Sequence, residues 1–353
     1  MMDRVFGLSL REKMLGLAVL SCLVVLFNYP QATVAQETNL RIQSWNLRYD
    51  SKPNDITVQQ TIEGLNSTLP IDVDTKWFSN YTEQPWSSRR IGVKNEVQFN
   101  NPEIFTVNEG LHRQVEDLKE LLGYPYIGVG RDDGGEAGEY EAVFYNPHAL
   151  EVVSNDTFWL SDTPFEPSKY PGAGSYRSAT VVHFRSLDTG STFVLINAHL
   201  DDQSDDQRKL GAALVKYRAA YEVENKHVPV IFVGDFNSQV TGDSDGAYLI
   251  STGQQTFSES DLNSTFTDKY SNSLTDFNFL DILEETPAEN RMGNLATFTG
   301  FKDTTSGFSR IDFQFASNTT DWEAVRFKVG DNWYDDSFYL SDHRPVISDI
   351  VLN

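Results

Sequence analysis

The run Val228-Pro229-Val230-Ile231-Phe232-Val233 limits what this chain can fold into more than any other segment. It is short, apolar and β-branched, so it reads as a buried strand, and it stops at Gly234. Asp235 and Asn237 follow two residues apart, which projects both from the strand end to the same side. About a hundred residues later, Ser341-Asp342-His343-Arg344-Pro345 sets a second carboxylate and an imidazole beside another apolar run. Gly, Asp and Asn are ordinary turn residues, and either segment alone reads equally well as a strand-to-turn junction. Together they match the way hydrolases place water-activating groups near strand ends.

Leu40–Asn46 alternates apolar and polar residues, as a half-buried strand does. Further strands are expected around 104–107, 124–129, 142–145, 179–184, 193–198, 311–315 and 346–351. Leu111, Val115, Leu118 and Leu122 fall on one face of a helix, and a second helix is expected from about Asp206 to Val223. Residues 51–88 show no sustained period and hold Trp77, Phe78, Tyr81 and Trp86, which predicts an irregular surface insertion pinned by its aromatics. No repeat or linker divides residues 36–353, so they read as a single domain. Strands with interspersed helices predict a layered α/β sandwich, in which polar groups from several strand ends can converge on one rim.

The formal charge of -23 disfavours capture of long nucleic acid, because that capture depends on Lys and Arg displacing counterions. Arg4, Arg11 and Lys13 precede an apolar run from Met14 to Phe27, so residues 1–35 read as a signal peptide, with a signal anchor as the competing reading. The only cysteine, Cys22, lies inside that segment, which excludes disulfides, thiol nucleophiles and cysteine metal sites from the remainder. Five Asn-x-Ser/Thr sequons, at Asn66, Asn80, Asn155, Asn263 and Asn318, read as N-glycan acceptors behind the signal-like segment. The expected location is the secretory pathway, extracellular or at the cell surface.

Asn46, Glu109, the Asn197-Ala198-His199 segment, Asp235 with Asn237, and Asp312 with Asp342-His343 stand at five separated strand ends. There is no Ser-His-Asp elbow and no phosphate loop. An oxygen-rich set with two histidines suits a hard divalent ion, Mg²⁺ or Mn²⁺, acting on a phosphate ester. The ordered set Trp45-Asn46, Asn108-Glu109, Gly138-Glu139-Tyr140, Asn197-Ala198-His199-Leu200, Gly234-Asp235-Phe236-Asn237, Arg310-Ile311-Asp312 and Ser341-Asp342-His343 resembles the endonuclease/exonuclease/phosphatase superfamily. Asn108 stands where that family usually has glutamine. The resemblance implies a four-layer α/β sandwich, two mixed β-sheets packed face to face with helices outside.

It also implies roles. Asn46, Glu109 and Asp342 would hold the metal, Asp235 would orient or deprotonate the attacking water, and Asn237 would bond the phosphate. His343, held by Asp312, would act as imidazolium donor or acid-base partner, and His199, oriented by Glu139, would do similar work on the other side. Local readings compete with these roles. Glu109 could open the following helix, His199 and Asp312 could be satisfied core groups, and a register slip would exchange Glu139 for Glu136 or Glu141. Asp201 and Asp202 read as solvated, and His112, His148, His183 and His227 fall on no motif. The implied function is a secreted Mg²⁺-dependent phosphoesterase using direct attack of water, on nucleic acid, a nucleotide or a small or lipid phosphate. The alternative is a non-catalytic secreted glycoprotein using the same fold as a binding module.

Overall fold

The computed structural model describes residues 37–65, 82–302, 304–334 and 338–353. In chain order its strands are Thr38–Asn46 (β1), Ile104–Leu111 (β2), Tyr126–Ile127 (β3), Glu139–Tyr145 (β4), Leu150–Trp159 (β5), Ser178–Ser186 (β6), Thr192–His199 (β7) and Val230–Asp235 (β8). Phe279–Asp281 (β9), Arg291–Gly293 (β10), Asp312–Ser317 (β11), Trp322–Val329 (β12), Trp333–Tyr334 (β13), Phe338–Tyr339 (β14) and Val346–Leu352 (β15) complete them. One sheet has the order β10-β12-β15-β1-β2-β4-β3 and the other β5-β6-β7-β8-β11-β9, each mixing parallel and antiparallel pairs.

Apolar residues at successive strand positions, such as Val181-Val182 and Ile231-Phe232, give each sheet two apolar faces to bury. Leu40, Ile42, Ile104 and Val346 of the first sheet pack on Val182, Leu195, Ile231 and Val233 of the second, forming the central core. The other face of the second sheet, including Val181, Ile196 and Phe232, is covered by Leu210, Leu214 and Val215 of the helix Asp205–Lys226. Trp45, Phe105, Val107 and Phe144 of the first sheet are covered by Val93 and Val97 of Trp86–Asn100 and by Val115 and Leu118 of His112–Leu122. The order is helix, sheet, sheet, helix, the four layers expected. No helix among the described residues is long and apolar enough to cross a membrane.

The fold departs from the sequence expectations where polar residues are buried or the period breaks. The expected irregular insertion at 51–88 contains the helix Val58–Glu63, opened by a Thr57/Gln60 capping box, and the first turn of Trp86–Asn100. The latter helix escapes a periodicity test because its buried face carries Ser87, Arg89 and Arg90. β12 is obscured by a bulge between Ala324 and Arg326, and β5 is a largely exposed edge strand. The strand expected at 124–129 shrinks to Tyr126–Ile127.

Residues 1–35, Trp77, Phe78, Tyr81, Asn66 and Asn80 lie outside the described residues. Asn155 is exposed on β5. Asn263 caps the helix Ser264–Lys269 through Thr265 N and Phe266 N, and Asn318 accepts from Asn278 N and donates to the carbonyl of Asp276.

Candidate active site

Strand register assembles the site. In the second sheet His199 of β7 pairs with Asp235 of β8, and Asp235 pairs with Asp312 of β11. Paired residues point to one side of a sheet, so these three side chains form a row across adjacent strand ends. Gly234 permits the close approach: its φ is +135°, and a Cβ there would sit 1.9 Å from the carbonyl oxygen of Ala198. In the first sheet Asn46 of β1 pairs with Asn108 of β2. The β2–β4 register then shifts between Val107 and Gly110, and Glu109 adopts φ +60° within that bulge. Glu109 therefore does not begin a helix, which starts at His112. Arg48 (φ 56°) and Asn237 (φ 46°) share the left-handed conformation, which non-glycine residues rarely hold and which clusters at functional sites.

The sheets meet over this rim. Asn46 Nδ2 donates to Glu109 Oε1 at 3.0 Å and to Asp235 Oδ2 at 2.9 Å, joining a carboxylate from each sheet. Asn108, in place of the family's usual glutamine, accepts from Asp235 N at 3.0 Å and donates to Asn197 Oδ1 at 3.2 Å. His343 Nδ1 lies 2.9 Å from Asp312 Oδ2, and its Nε2 lies 3.6 Å from Asp235 Oδ2. On the opposite side, His199 Nε2 lies 3.1 Å from Asn237 Nδ2 and 3.6 Å from Asp235 Oδ2. All of these groups except the buried supports Asn46, Asn108, Asn197 and Asp312 line a cleft of about 530 Å³, together with Glu139, Asp342, Arg48, Arg131 and Arg177.

The two histidines are equally buried, and their charged neighbours drive them apart. Burial alone would strip the proton from His343, but Asp312 and Asp235 outweigh it and hold the imidazole well above its ordinary value. His199 is pushed well below that value by burial, then by Arg177, Arg131 and His343. These directions favour the imidazolium form at His343 and the neutral ring at His199, whose one remaining N–H can still donate. Asp235 is raised to about 7, by burial first and by Asp312 second. Burial also lifts Glu139 to about 7 against the pull of Arg131, and raises Asp342, with Glu109 adding to the effect and His343 and Arg48 opposing it.

Two of the expected site residues make contacts other than those their expected roles imply. Asn46 turns its amide nitrogen, not its oxygen, toward the carboxylates, while Oδ1 accepts from Arg48 N. Here it is a bridge, and it would have to turn over to offer oxygen to a cation between Glu109 and Asp235. Glu139 stands 3.8 Å from His199 Nδ1, beyond hydrogen-bond reach, and lies against Arg131 at 2.9 Å. Its register is the expected one, since Glu139 lines the cleft while Glu141, on the same strand face, is sealed below with Ser178. Asp201 is not solvated: it is fully buried and accepts from Gly174 N, Gln203 N, Ser204 N and Arg177 Nε, whereas Asp202 is exposed.

The donor set fits a hard cation. Ligand atoms of Glu109, His199 and Asp235 lie within 4.8 Å of one another, with Asp342 close enough for the Glu109 charge to raise it. Asp235, Asp312 and His343 form a second such group, but a protonated His343 has no lone pair to give.

Arg48, Arg131 and Arg177 escaped the sequence reading, although Arg48 lies two residues beyond Asn46 and Arg131 immediately precedes a turn signal. Arg89 escaped as well. Fully buried, it donates to the carbonyls of Leu47 (2.6 Å), Arg48 (2.9 Å) and Leu340 (2.7 Å), tying the segment after Asn46 to the one before Asp342.

Residues 44–343 match the Endonuclease/Exonuclease/phosphatase family. No curated protein matches the chain by sequence. Among solved structures, an endonuclease/exonuclease/phosphatase from Bacteroides vulgatus is 26% identical, covers 90% of this chain and 100% of its own, and superposes with a TM-score of 0.67. A mannosyl-6-phosphatase from Bacteroides thetaiotaomicron is 28% identical over 89% of this chain and 100% of its own, with a TM-score of 0.64. The human Nocturnin catalytic domain with bound sulfate, at 13% identity, 90% and 97% coverage and a TM-score of 0.56, shares the fold. With the family's matching segment spanning most of the sequence and both sheets arranged as that fold requires, the chain belongs to the endonuclease/exonuclease/phosphatase family.

Proposed function

We propose that this protein is a secreted, divalent-metal-dependent phosphoesterase that cleaves a small phosphate ester by direct attack of water. The observation that carries this reading is the Asp312–His343–Asp235–His199 row, which places a charged donor and a neutral imidazole on either side of one carboxylate. Asp235, with its proton affinity raised toward neutrality, is suited to take a proton from the attacking water. His343 supplies positive charge and an N–H to a phosphoryl oxygen, and Asp312 fixes its tautomer. Asn237, in its left-handed conformation, points its amide into the same space beside His199.

Glu109 and Asp342 would hold the ion, Mg²⁺ or Mn²⁺, with Asn46 joining them after its amide turns. Such an ion polarises the phosphoryl oxygen and offsets charge on the leaving oxygen. The chain's own groups supply orientation and preorganised charge, the main sources of catalysis in phosphoryl transfer.

A small substrate is supported by the size of the cleft, by the acidic chain and by the 28% identity to a mannosyl-6-phosphatase. Residues 1–35 are proposed as the secretory leader, and Asn155, the exposed sequon, as a glycan acceptor. The test is hydrolysis of p-nitrophenyl phosphate and bis(p-nitrophenyl) phosphate by purified protein with Mg²⁺ or Mn²⁺. Activity abolished by Asp235→Ala supports the reading. A folded wild-type protein inert toward these, toward nucleic acid, and toward sugar and lipid phosphates leaves the binding-module alternative.

A further inference from the structure

Beside the acids Glu109 and Asp342, two guanidinium–carboxylate pairs form one wall of the cleft: Arg131 Nη2 lies 2.9 Å from Glu139 Oε2, and Arg177 Nη2 donates to Asp202 Oδ1 at 2.8 Å. Both arginines are only 4% exposed. Arg131 Nε and Nη1 and Arg177 Nη1 have no hydrogen-bond partner, although Arg131 Nη1 lies 3.7 Å from Glu141 Oε1, and Glu139 Oε2 approaches Arg131 without hydrogen-bond alignment. These three nitrogens and Glu139 Oε2 are sealed from solvent, so the wall meets a ligand chiefly through the exposed carboxylate of Asp202 and the cleft-lining edge of Glu139. The second pair is held rigidly. Buried Asp201 gathers Gly174 N, Gln203 N, Ser204 N and Arg177 Nε, stapling the loops that carry Arg177 and Asp202.

The charges of this wall exclude some substrates. Arg131 faces Glu139 and Glu141, and Arg177 faces Asp201 and Asp202, so the two guanidinium charges are balanced by Asp201 and Asp202 even where Glu139 holds a proton. No surplus positive charge is left for a second phosphate, and a polyanion would meet the carboxylate of Asp202. Stacking is equally poorly served. Of the two aromatic side chains lining the cleft, Tyr49 is covered by the Arg48 guanidinium at 4.2 Å, and Phe298 packs against His343 with centroids 5.0 Å apart. Paired carboxylates and guanidinium groups, with Ser175 and Gln239 beside them, present closely spaced acceptors and donors. Hydroxyl groups, each both donor and acceptor, satisfy such a surface.

Resting on the phosphoesterase reading, we propose that the alcohol half of the substrate is an uncharged, hydroxyl-rich group of sugar size. Its hydroxyls bridge the Glu139–Arg131 and Asp202–Arg177 pairs while the phosphate faces Asp235 and His343. Asp201 is then a positioning residue, acting through Arg177.

Initial-rate kinetics with Mg²⁺ or Mn²⁺ test this on a hexose 6-phosphate, p-nitrophenyl phosphate, an inositol polyphosphate and a short oligonucleotide, using wild type and Asp202→Ala. The expected result is preference for the hexose phosphate in wild type. In Asp202→Ala the ratio of kcat/KM for hexose phosphate to that for p-nitrophenyl phosphate should fall about tenfold or more, mainly through KM, as expected when hydrogen bonds to substrate hydroxyls are lost. A thermal melt confirms that the variant, altered at an exposed position, remains folded. Faster turnover of the polyphosphate or oligonucleotide, or an unchanged ratio in Asp202→Ala, overturns the inference and leaves the phosphoesterase reading standing. A folded wild type inert toward the whole panel defeats both.

Discussion

His343 Nδ1 sits 2.9 Å from Asp312 Oδ2, although Asp312 opens β11 of one sheet and His343, thirty-one positions later, lies in the segment leading into β15 of the other. This contact, with Asp235 on the other ring nitrogen, keeps a fully buried imidazole protonated. Asp312→Asn keeps the shape and removes the charge. It is expected to lower kcat by about 10²–10⁴-fold, the usual range for losing an acid-base group. The wild-type profile of kcat/KM should rise as Asp235 ionises and fall at alkaline pH as His343 loses its proton, with the falling limb moving to lower pH in Asp312→Asn. An unmoved alkaline limb would separate that limb from His343.

Stability should also depend on pH, and the direction follows from the site. Asp235 and Glu139 are raised to about 7, so between about pH 4 and 7 the native protein binds more protons than the unfolded chain. Their contribution is greatest below that window and falls as pH rises through it. His343, raised well above its ordinary value, contributes stability that is complete below about pH 6.5 and lost as pH climbs through its native value. The Tm of metal-free protein should therefore decline from mildly acidic to mildly alkaline pH, and Asp235→Asn should flatten that decline. Differential scanning fluorimetry across pH reads both.

Removing metal is expected to stop turnover and restoring it to recover turnover. Dialysis against EDTA followed by Mg²⁺ or Mn²⁺ checks this, and each ion should also raise Tm by binding the native state alone. Glu109→Gln should weaken that thermal shift, because it removes a carboxylate from the proposed cation set.

Arg89→Met would leave three backbone carbonyls near the site without their donor. A cost on the order of 3–5 kcal/mol is expected by analogy with breaking buried charged interactions, measured by urea unfolding. Activity should drop as well, since Asn46 and Asp342 lie beside the segments it ties.

Asn263→Ala should cost about 1 kcal/mol through the lost helix cap, whereas Asn155→Gln, on an exposed edge, should leave Tm unchanged. Glycopeptide mass spectrometry of protein secreted from a eukaryotic host should find glycan on Asn155.

What could be read in advance depended on how locally each feature is encoded. The strand before Asp235 is six successive apolar or β-branched positions, and the helix from Asp205 ends within a few residues of its expected boundary. Trp86–Asn100 was hidden because Arg89 and Arg90 occupy its buried face, and their burial is tolerable only through carbonyls and Asp117 supplied from elsewhere. Asp201 looked like a surface acid because nothing local announces the backbone N–H groups that converge on it.

The sequence by itself determined the family, the layered sandwich and the identity of the acids, histidines and asparagines at the strand ends, because periodicity and ordered motifs are properties of the chain. Packing alone drives His343 toward its charged form and His199 toward its neutral one, lets Asn46 bridge two carboxylates, and builds a cleft wall from paired arginines and acids. Those outcomes depend on burial and on charges brought together from distant segments, and such distances exist only once both sheets are packed.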